Sequence, residues 1–509
     1  MPYLLQAGPA QVRYENGFLR YLTLDGVEVL RMIYFAVRDH NWLTATLTFQ
    51  NEQVNQTPDS FRIQYDWQVD DLGIQMAGQV TIQGDSDGTV AVDFYGKALN
   101  EFRKNRIGLC VLHPIEGVLG QPAEISEPDG SVTRGHFPVL ISPHQPFLNI
   151  QQLRWQAGSG AVLQLEFSGD VFETEDQRNW TDASFKTYST PQIRPFPVAV
   201  SVGDEVRQRV VFSLVDTASV RPLSTSTGQS APAVEQMGMT INKPLIGVGQ
   251  RADGKSMSVA EAQWLRKLNL SHLRTDLFFS LPGWRVRLIC AIADANLLAV
   301  PLELALFLGS DPVAEWQMVQ DFLRTTTVSI RSTLLFDAAT LLTTDALVQT
   351  IGPQIRAEWP DSLIGGGSDN DFVGLNRHRF NVELVDFVTY SLNPQVHAFD
   401  ELTLLENIAG QVDTVSSAKA LSSGKPVHIS PVTLRPRFIT LDETATERQS
   451  TRADLRHTTD FGAEWTRLSL SALAEAGAAS VTYYQSHGPA GLVDGETRFP
   501  VYDVFAERV

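Results

Sequence analysis

The second half of this chain alternates between short apolar runs and segments of helical spacing, and no other feature restricts the fold as strongly. Eight apolar runs are typical of buried parallel strands, and most are followed by a segment in which apolar residues recur at helical intervals. The runs are Leu245–Val248, His272–Leu277, Leu298–Phe307, Val328–Phe336, Leu363–Gly366, Phe387–Leu392, Val427–Val432 and Val481–Tyr484. Eight strand–helix repeats over about 265 residues predict a (β/α)8 TIM barrel at residues 241–509.

Residues 1–215 follow a different pattern, in which apolar and polar residues alternate along many short runs. Turn dipeptides such as Asn16-Gly17 and Asp25-Gly26 interrupt these runs. Short alternating strands joined by Gly, Asp and Pro turns predict an antiparallel β-sandwich. Residues 216–240 are rich in Ser, Thr and Pro and predict a linker. The chain is therefore predicted to be a multidomain α+β protein, with an N-terminal sandwich followed by the barrel.

The composition argues against several classes of function. Forty Lys and Arg residues against 58 Asp and Glu residues give a net charge of −18, and no basic cluster offsets it, so nucleic-acid binding is not expected. The sequence shows neither an apolar run of membrane-spanning length nor a secretory leader, which predicts a cytoplasmic protein that does not bind membranes. Cys110 and Cys290 provide no disulfide framework, and HxH, HExxH and Cys/His clusters are absent, so we expect no metal and no cofactor. The oligomeric state is left open.

Polar residues of the predicted barrel strands fall on the face that points into the barrel. Active sites of such barrels lie at the C-terminal ends of the strands, and ionised groups inside them cost several kcal/mol unless paired. A polar active site is therefore favoured, although structural ion pairs and core histidines explain individual members equally well. The residues predicted to point inward are His272, Arg274, Asp276, Glu303, Arg331, Thr333, Asp337, Thr389, Ser391, Asn393, His428 and Ser430.

Two loops at predicted strand ends have the composition of binding loops. The loop after strand five reads GGGSDNDFVGLNR and carries Asp369 and Asn370 directly after three glycines. It lacks the lysine of a phosphate loop and the spacing of a calcium loop. The loop after strand six reads SLNPQVHAFDE, in which Asn393, Gln395 and His397 follow the strand closely. We expect both loops to line the pocket.

A charged and aromatic segment in the sandwich region, FSGDVFETEDQRNWTDASFKTYSTP, is too polar for a core strand. One interpretation is a surface loop that braces the barrel. The other places it at the barrel mouth, where Trp180 stacks on a sugar-like ring and Asp182 or Lys186 bonds hydroxyl groups.

Several motifs together resemble the D-apionate lactonase family, bacterial enzymes of branched-sugar catabolism that are similar to glycoside hydrolases in fold. They span both predicted domains: KNRIGLCVLHP, SPHQPFLNI, GDVFETEDQRNWTDASFKTY, HLRTDL, the strand-five loop, SLNPQVHAFDE and ISPVTLRPRF. The resemblance implies hydrolysis of D-apionolactone to D-apionate in the cytoplasm, without a redox cofactor.

This chain also departs from related patterns. Gln485 stands after strand eight where the family is expected to carry an acidic residue, and Asp337 and Thr433 stand near the places of the two glutamates of retaining barrel glycosidases. Ordinary retaining glycoside hydrolysis is therefore disfavoured. Two alternatives stay open: a glycoside hydrolase of unusual carboxylate geometry, and a carbohydrate-binding relative that has lost catalysis.

Opening a lactone requires a base for water, stabilisation of the oxyanion, and an acid for the ring oxygen. No GxSxG elbow or catalytic cysteine context is present, so water or a carboxylate is the expected nucleophile. We expect Glu303 to be the base, with Asp337 or Asp369 as substitutes, and His397 to be the acid. The predicted substrate-binding residues are Arg274, Asn370, Asn393, Gln395, Arg435, Trp180, Asp182, Lys186 and Tyr484.

Overall fold

The chain divides into two units in the computed structural model, which describes residues 2–157, 160–215, 243–437 and 453–507. The first unit comprises Met1–Gln177 and Ser184–Glu235, and the second comprises Arg178–Ala183 and Gln236–Val509. A six-residue turn within the sandwich region thus belongs to the second unit. The linker predicted at 216–240 lies outside the described residues.

The first unit consists of two nine-stranded antiparallel sheets. Its strands are β1 Tyr3–Ala7, β2 Ala10–Glu15, β3 Phe18–Leu24, β4 Val27–Asp39, β5 Thr48–Gln56, β6 Phe61–Asp71, β7 Ile74–Gly84, β8 Val90–Ala98, β9 Phe102–Pro114, β10 Pro122–Ser126, β11 Val132–His136, β12 Phe147–Ile150, β13 Gln152–Gln156, β14 Val162–Ser168, β15 Phe172–Asp176, β16 Ser184–Tyr188, β17 Val198–Val200 and β18 Glu205–Val215. One sheet has the order β1-β2-β3-β4-β9-β16-β15-β12, with β17 paired to β9. The other has the order β11-β10-β13-β14-β18-β8-β7-β6-β5.

Aromatic side chains join the two sheets face to face. Every second residue of β6 from Phe61 to Val69 is buried, which is the alternation of a strand with one core face. The ring of Phe35 in β4 lies 5.0 Å from that of Trp67 in β6 and 4.7 Å from that of Phe94 in β8, measured between centroids. This packing confirms the predicted β-sandwich.

The two predicted hairpin turns are also present. Asn16 and Gly17 join β2 to β3 with φ of 50° and 83°, and Asp25 and Gly26 join β3 to β4 with φ of 49° and 79°. Two consecutive positive φ angles match the right-handed twist of the flanking strands, and Asn, Asp and Gly adopt them at least cost.

Eight parallel strands close a barrel in the second unit. They are β19 Leu245–Gly249, β20 His272–Phe278, β21 Leu302–Leu308, β22 Ile330–Asp337, β23 Leu363–Ser368, β24 Phe387–Leu392, β25 Val427–Val432 and β26 Ser480–His487. Closure occurs because β19 pairs with both β20 and β26. Each strand overlaps a predicted run, although the run Leu298–Phe307 begins at the end of the helix before its strand, and the overlap confirms the (β/α)8 barrel. Two short strands, β27 Gly491–Asp494 and β28 Thr497–Arg498, extend the sheet beyond β26.

Helices follow the barrel strands. Among the described residues they are α1 Val259–Leu265, α2 Trp284–Leu298, α3 Pro312–Leu323, α4 Asp345–Glu358, α5 Asp371–Arg377, α6 Glu401–Glu406, α7 Ile408–Leu421, α8 Asp460–Glu475 and α9 Pro500–Ala506. The first begins with a capping box, in which Ser258 and Glu261 satisfy each other's backbone N–H groups. No helix of the described ranges is long and apolar enough to cross a membrane.

The inward face of β22 differs from the prediction by one residue. The register shifts between Leu302 and Glu303 on β21, which leaves Arg331 as the extra residue of a β-bulge. The Ser332 hydroxyl donates to the Glu303 carboxylate over 3.0 Å inside the barrel. Beyond the bulge an apolar cluster includes Phe278, Ala305, Phe307, Leu334, Phe336 and Phe387. The prediction that Thr333 and Asp337 point inward is therefore wrong.

Candidate active site

The larger cleft of the second unit opens at the C-terminal ends of the barrel strands, where barrel enzymes carry their catalytic residues. It encloses about 810 Å³, including the part that is open to solvent. Its lining residues lie on or after β19, β20, β25 and β26, except Arg287, which lies on α2: Gly249, Gln250, Ala252, Arg274, Asp276, Arg287, Pro431, Thr433, Leu434, Arg435, Pro436, Arg437, Asp454, His457, Tyr484, Gln485 and Ala490. Three predicted site residues, Arg274, Arg435 and Tyr484, lie here.

A smaller cleft of about 250 Å³ adjoins the larger one, since both are lined by Thr433, Pro436 and Arg437. The remaining lining residues follow β23 and β24: Asp369, Asn370, Asp371, Ser391, Leu392 and Asn393. The structure therefore brings together three predicted residues of the two binding loops, Asp369, Asn370 and Asn393. The other two, Gln395 and His397, are not among the lining residues of either cleft.

Two arginines and two aspartates form a closed arginine–aspartate ring between the clefts. Arg274 donates from Nε to Asp276 over 2.9 Å and from Nη2 to Asp369 over 2.7 Å. Arg437 donates from Nη1 to both oxygens of Asp369, over 2.8 and 2.6 Å, and also bonds Asp276. Burial alone would raise the pKa of Asp276, but the two guanidiniums hold it far below its usual value. The ring is neutral overall and holds both guanidiniums at the cleft wall.

His397 pairs with Asp182, which lies in the turn Arg178–Ala183. The Nδ1 atom of His397 lies 2.6 Å from Oδ2 of Asp182, and Asn407 donates to the other carboxylate oxygen over 3.2 Å. An ionised Asp182 accepts the proton on Nδ1, so Nε2 is the nitrogen left for acid–base chemistry.

Trp180 packs beside this pair. Its ring meets that of His397 edge to face at a centroid distance of 5.5 Å, and the Arg377 guanidinium lies over it at 5.0 Å. The turn itself is held by Arg178, which donates to Asp413 over 3.0 Å.

Two residues near the clefts, Thr181 and Tyr484, are among the non-glycine residues with a left-handed backbone conformation. Thr181, next to Asp182, has φ of 74°, and Tyr484, in the larger cleft, has φ of 52°. A β-branched or aromatic residue rarely adopts this left-handed conformation, which is found at functional sites more often than elsewhere. Tyr484 is also the extra residue of a bulge in β26, where the register with β19 shifts.

Asp371 is a titratable residue of the smaller cleft that sequence reasoning did not single out. Burial raises the pKa of its carboxyl group to about 7, and the carboxylates of Asp369 and Asp182 act in the same direction. The amide of Asn393 donates to its Oδ1 over 2.8 Å and opposes that rise. The sequence feature that could have identified Asp371 is its position two residues after Asp369 in the strand-five loop.

Glu303 lies inside the barrel with 1% of its surface exposed. It accepts hydrogen bonds from the hydroxyls of Ser430 over 2.7 Å and Ser332 over 3.0 Å. Although burial acts in the opposite direction, the charges of His272 and Arg274 and the Ser430 hydroxyl lower the pKa of Glu303. A carboxylate with a lowered pKa that is fully engaged inside the barrel is a poor general base.

Three further predicted residues make contacts of a structural kind. Asp337 accepts hydrogen bonds from the backbone N–H groups of Ala339 and Thr340 and so closes a turn after β22. Lys186 belongs to the first unit, where it pairs with Glu175 over 2.6 Å. Gln395 is buried.

Gln395 connects the loop after β24 to the wall of the larger cleft. Its amide donates to the backbone oxygen of Leu434 over 2.6 Å and to Asp454 over 2.7 Å, and both acceptors belong to lining residues. Sequence reasoning missed Arg437, although it had selected Arg435 from the same RPR stretch. It had placed Asp276 inside the barrel without assigning it a role.

Comparisons with known proteins match both parts of the chain to the same family. Residues 1–217 match the family model of the D-apionate lactonase N-terminal domain, and residues 246–508 match that of the D-apionate lactonase TIM barrel domain. A D-apionate lactonase of Brucella anthropi is 30% identical over 518 residues, which cover 97% of this chain and 84% of that protein. Among solved structures, a Ruminococcus gnavus β-glucuronidase aligns with 91% of this chain and 69% of its own at 8% identity and a TM-score of 0.37. A β-arabinopyranosidase aligns with 93% and 85% of the two chains at 8% identity and a TM-score of 0.30.

Proposed function

The chain belongs to the D-apionate lactonase family, as its motifs predicted, and on this premise we propose that the two clefts form the site at which D-apionolactone is hydrolysed to D-apionate. The protein is a lactone hydrolase, which is a carboxylic-ester hydrolase. The observation that carries the assignment to this site is the set of guanidiniums around the larger cleft in a chain of net charge −18. Its cytoplasmic location stays a prediction.

Lactone opening develops negative charge twice, first on the tetrahedral oxyanion and then on the product carboxylate. Arg435 is exposed at the larger cleft. Arg437 belongs to the ring, but it lines both clefts and keeps 17% of its side chain exposed, against 2% for Arg274, so Arg435 and Arg437 are the proposed partners of the developing charge. Arg274 has a different role. Its three guanidinium nitrogens donate to Asp276, Asp369 and the Ser430 hydroxyl, and the last of these bonds measures 3.1 Å. We propose that Arg274 holds the arginine–aspartate ring together.

His397 is the proposed acid for the ring oxygen. Asp182 fixes its orientation through Nδ1, which leaves Nε2 as the nitrogen that can deliver a proton. Trp180 packs against the imidazole and limits its rotation. The predicted stacking of Trp180 on the substrate ring stays a prediction, as does hydrogen bonding of the substrate by Asn370 and Asn393 at the smaller cleft.

The function is tested with a pH-indicator assay on a panel of sugar lactones, run beside nitrophenyl glycosides. We expect acid release from the lactones. Release of nitrophenol would instead support a glycoside hydrolase, and ligand-induced thermal stabilisation without turnover would support a binding protein. Either result contradicts the proposal.

The role of the cleft is tested with Arg435→Gln, which removes the exposed guanidinium without breaking the ring. We expect kcat/KM to fall on the order of 10²-fold, the typical cost of losing one donor to an oxyanion. Arg324→Gln is the matched control, because Arg324 lies on the outer helix region with 55% of its side chain exposed. Equal losses in both variants, or none in Arg435→Gln, would remove Arg435 from the site.

A further inference from the structure

Asp371 lines the smaller cleft, where neighbouring residues hold its carboxyl group. It is the first residue of α5, and its backbone N–H donates to the Ser391 hydroxyl over 2.9 Å. Its carboxylate accepts from the Asn393 amide over 2.8 Å. These two bonds attach Asp371 to β24 and its following loop, so the carboxylate is held on one wall of the cleft.

Three charged side chains lie around Asp371, two carboxylates and one guanidinium. Asp369 lies at the end of β23, Asp182 lies in the turn Arg178–Ala183, and Arg437 lines the same cleft from the segment after β25. The Asp369 carboxylate is neutralised by two guanidiniums, as described above, whereas the hydrogen-bond donor to Asp371 is a neutral amide. Burial raises the pKa of Asp369 as well, but the two guanidiniums oppose that rise and engage both of its carboxylate oxygens. The Asp371 carboxylate is bonded to a neutral amide instead, which makes it the better placed of the two to take a proton.

We propose that Asp371 is the general base that activates water for attack on the lactone carbonyl. The inference rests on the proposed function and assigns to this residue the role that the sequence suggested for Glu303. A pKa of about 7 leaves the carboxylate partly ionised at neutral pH while keeping it far more basic than an exposed aspartate.

The proposed reaction balances without a cofactor. Asp371 takes a proton from water as the water oxygen bonds to the carbonyl carbon, and the carbonyl π electrons form the oxyanion beside Arg437. The oxyanion then collapses, the bond between the carbonyl carbon and the ring oxygen breaks, and His397 supplies a proton to that oxygen. Solvent exchange returns the proton from Asp371 to His397. One water is consumed, and ionisation of the new carboxyl group releases one proton.

The backbone conformation of Asp371 is one that asparagine tolerates, so Asp371→Asn can test the proposal. Its φ is 54°, which is left-handed, and asparagine adopts this conformation as readily as aspartate. Asp371→Asn therefore keeps size and backbone while removing basicity. Asp321→Asn is the matched control, since Asp321 lies on α3 with 78% of its side chain exposed.

We expect kcat of Asp371→Asn to fall by about 10²–10⁴-fold with KM little changed, while Asp321→Asn behaves as the wild type. The base is active when deprotonated, so wild-type kcat/KM should rise as the pH increases through about 7. This rise of kcat/KM with pH, the limb of the pH profile near 7, should be absent in Asp371→Asn. A folded variant that keeps more than about a tenth of wild-type kcat, or that keeps the limb, overturns the inference.

A second measurement uses Asp371→Gly with sodium formate, and sodium chloride as the ionic control. Glycine accepts the left-handed backbone without strain and opens space for a small carboxylate. Recovery of rate with formate alone supports general-base catalysis, whereas a folded variant with no recovery overturns it. Failure of the proposed function is a separate result, because the wild type would then hydrolyse no lactone at all.

Discussion

At the scale of single residues, hydrogen-bond partners decide roles that strand position leaves open. Glu303 and Asp371 are both carboxylates of the barrel, but Glu303 is bonded to two serine hydroxyls inside it, while Asp371 lines a cleft. Ser430 also accepts a hydrogen bond from Arg274, so Glu303 acts on the arginine–aspartate ring through Ser430 and through its attraction to the Arg274 charge. We therefore interpret Glu303 as a positioning residue.

Glu303→Gln should retain more than about a tenth of wild-type kcat between pH 6 and 9, because it removes no base from the proposed reaction. The melting temperature should fall, since a buried charged hydrogen-bond pair is weakened. Ser332→Ala is the comparison, because it removes one bond of Glu303 and leaves Ser430 in place. A loss of 10²-fold or more in kcat at an unchanged melting temperature would return the base role to Glu303.

At the scale of elements, the turn Arg178–Ala183 explains why a segment of the sandwich region is so polar. Its residues cluster with the barrel unit, and Asp182 reaches His397 from there. The interpretation of this segment as a brace is also supported, because Arg178 pairs with Asp413 on α7. One turn thus carries a structural ion pair and a proposed catalytic pair.

Asp182→Asn separates the two roles of this turn. Asparagine lacks the negative charge, and its amide can either accept a hydrogen bond from Nδ1 or donate one to it, so the tautomer and orientation of the imidazole are no longer fixed. We expect kcat to fall on the order of 10²-fold or more, with a small change in melting temperature. Asp413→Asn, which breaks the other pair of the turn, should lower the melting temperature and leave kcat nearly unchanged. The reverse pattern would assign Asp182 to bracing.

At the scale of the whole molecule, the charge of the larger cleft is opposite in sign to the net charge of the chain. The net charge is −18, yet the charged residues of the lining are four arginines and two aspartates: Arg274, Arg287, Arg435, Arg437, Asp276 and Asp454. The ring with Asp276 and Asp369 neutralises Arg274 and Arg437, so Arg287 and Arg435 against Asp454 leave the lining positive. A cationic cleft in an acidic protein attracts the anionic product more than the neutral lactone.

We therefore expect D-apionate to inhibit competitively, with an inhibition constant that rises severalfold between about 0.1 and 1 M NaCl. Over that range the screening length falls from about 10 to about 3 Å. The KM of the uncharged lactone should change little, and it serves as the internal control. Parallel changes in both constants would show that salt acts on the protein as a whole and not on the cleft charge.

The sequence alone determined the features that depend on local pattern. Strand and helix periods predicted eight barrel strands, the Asn-Gly and Asp-Gly dipeptides predicted two hairpin turns, and long motifs indicated the family. Alternation along β20 also placed Arg274 and Asp276 inside the barrel, because a regular strand repeats every two residues.

Only the tertiary structure decided which side chains meet. A single bulge in β22 reversed the predicted face of Asp337, since one extra residue moves every later side chain to the other side. The pairs His397–Asp182 and Arg437–Asp276 are 215 and 161 residues apart in the chain, and no local period relates their positions. The basicity of Asp371 likewise depends on its burial and on the Asp182 carboxylate, which comes from a distant segment, besides that of Asp369 in its own loop. Such properties arise from the surroundings of a group, and chain folding alone brings those surroundings together.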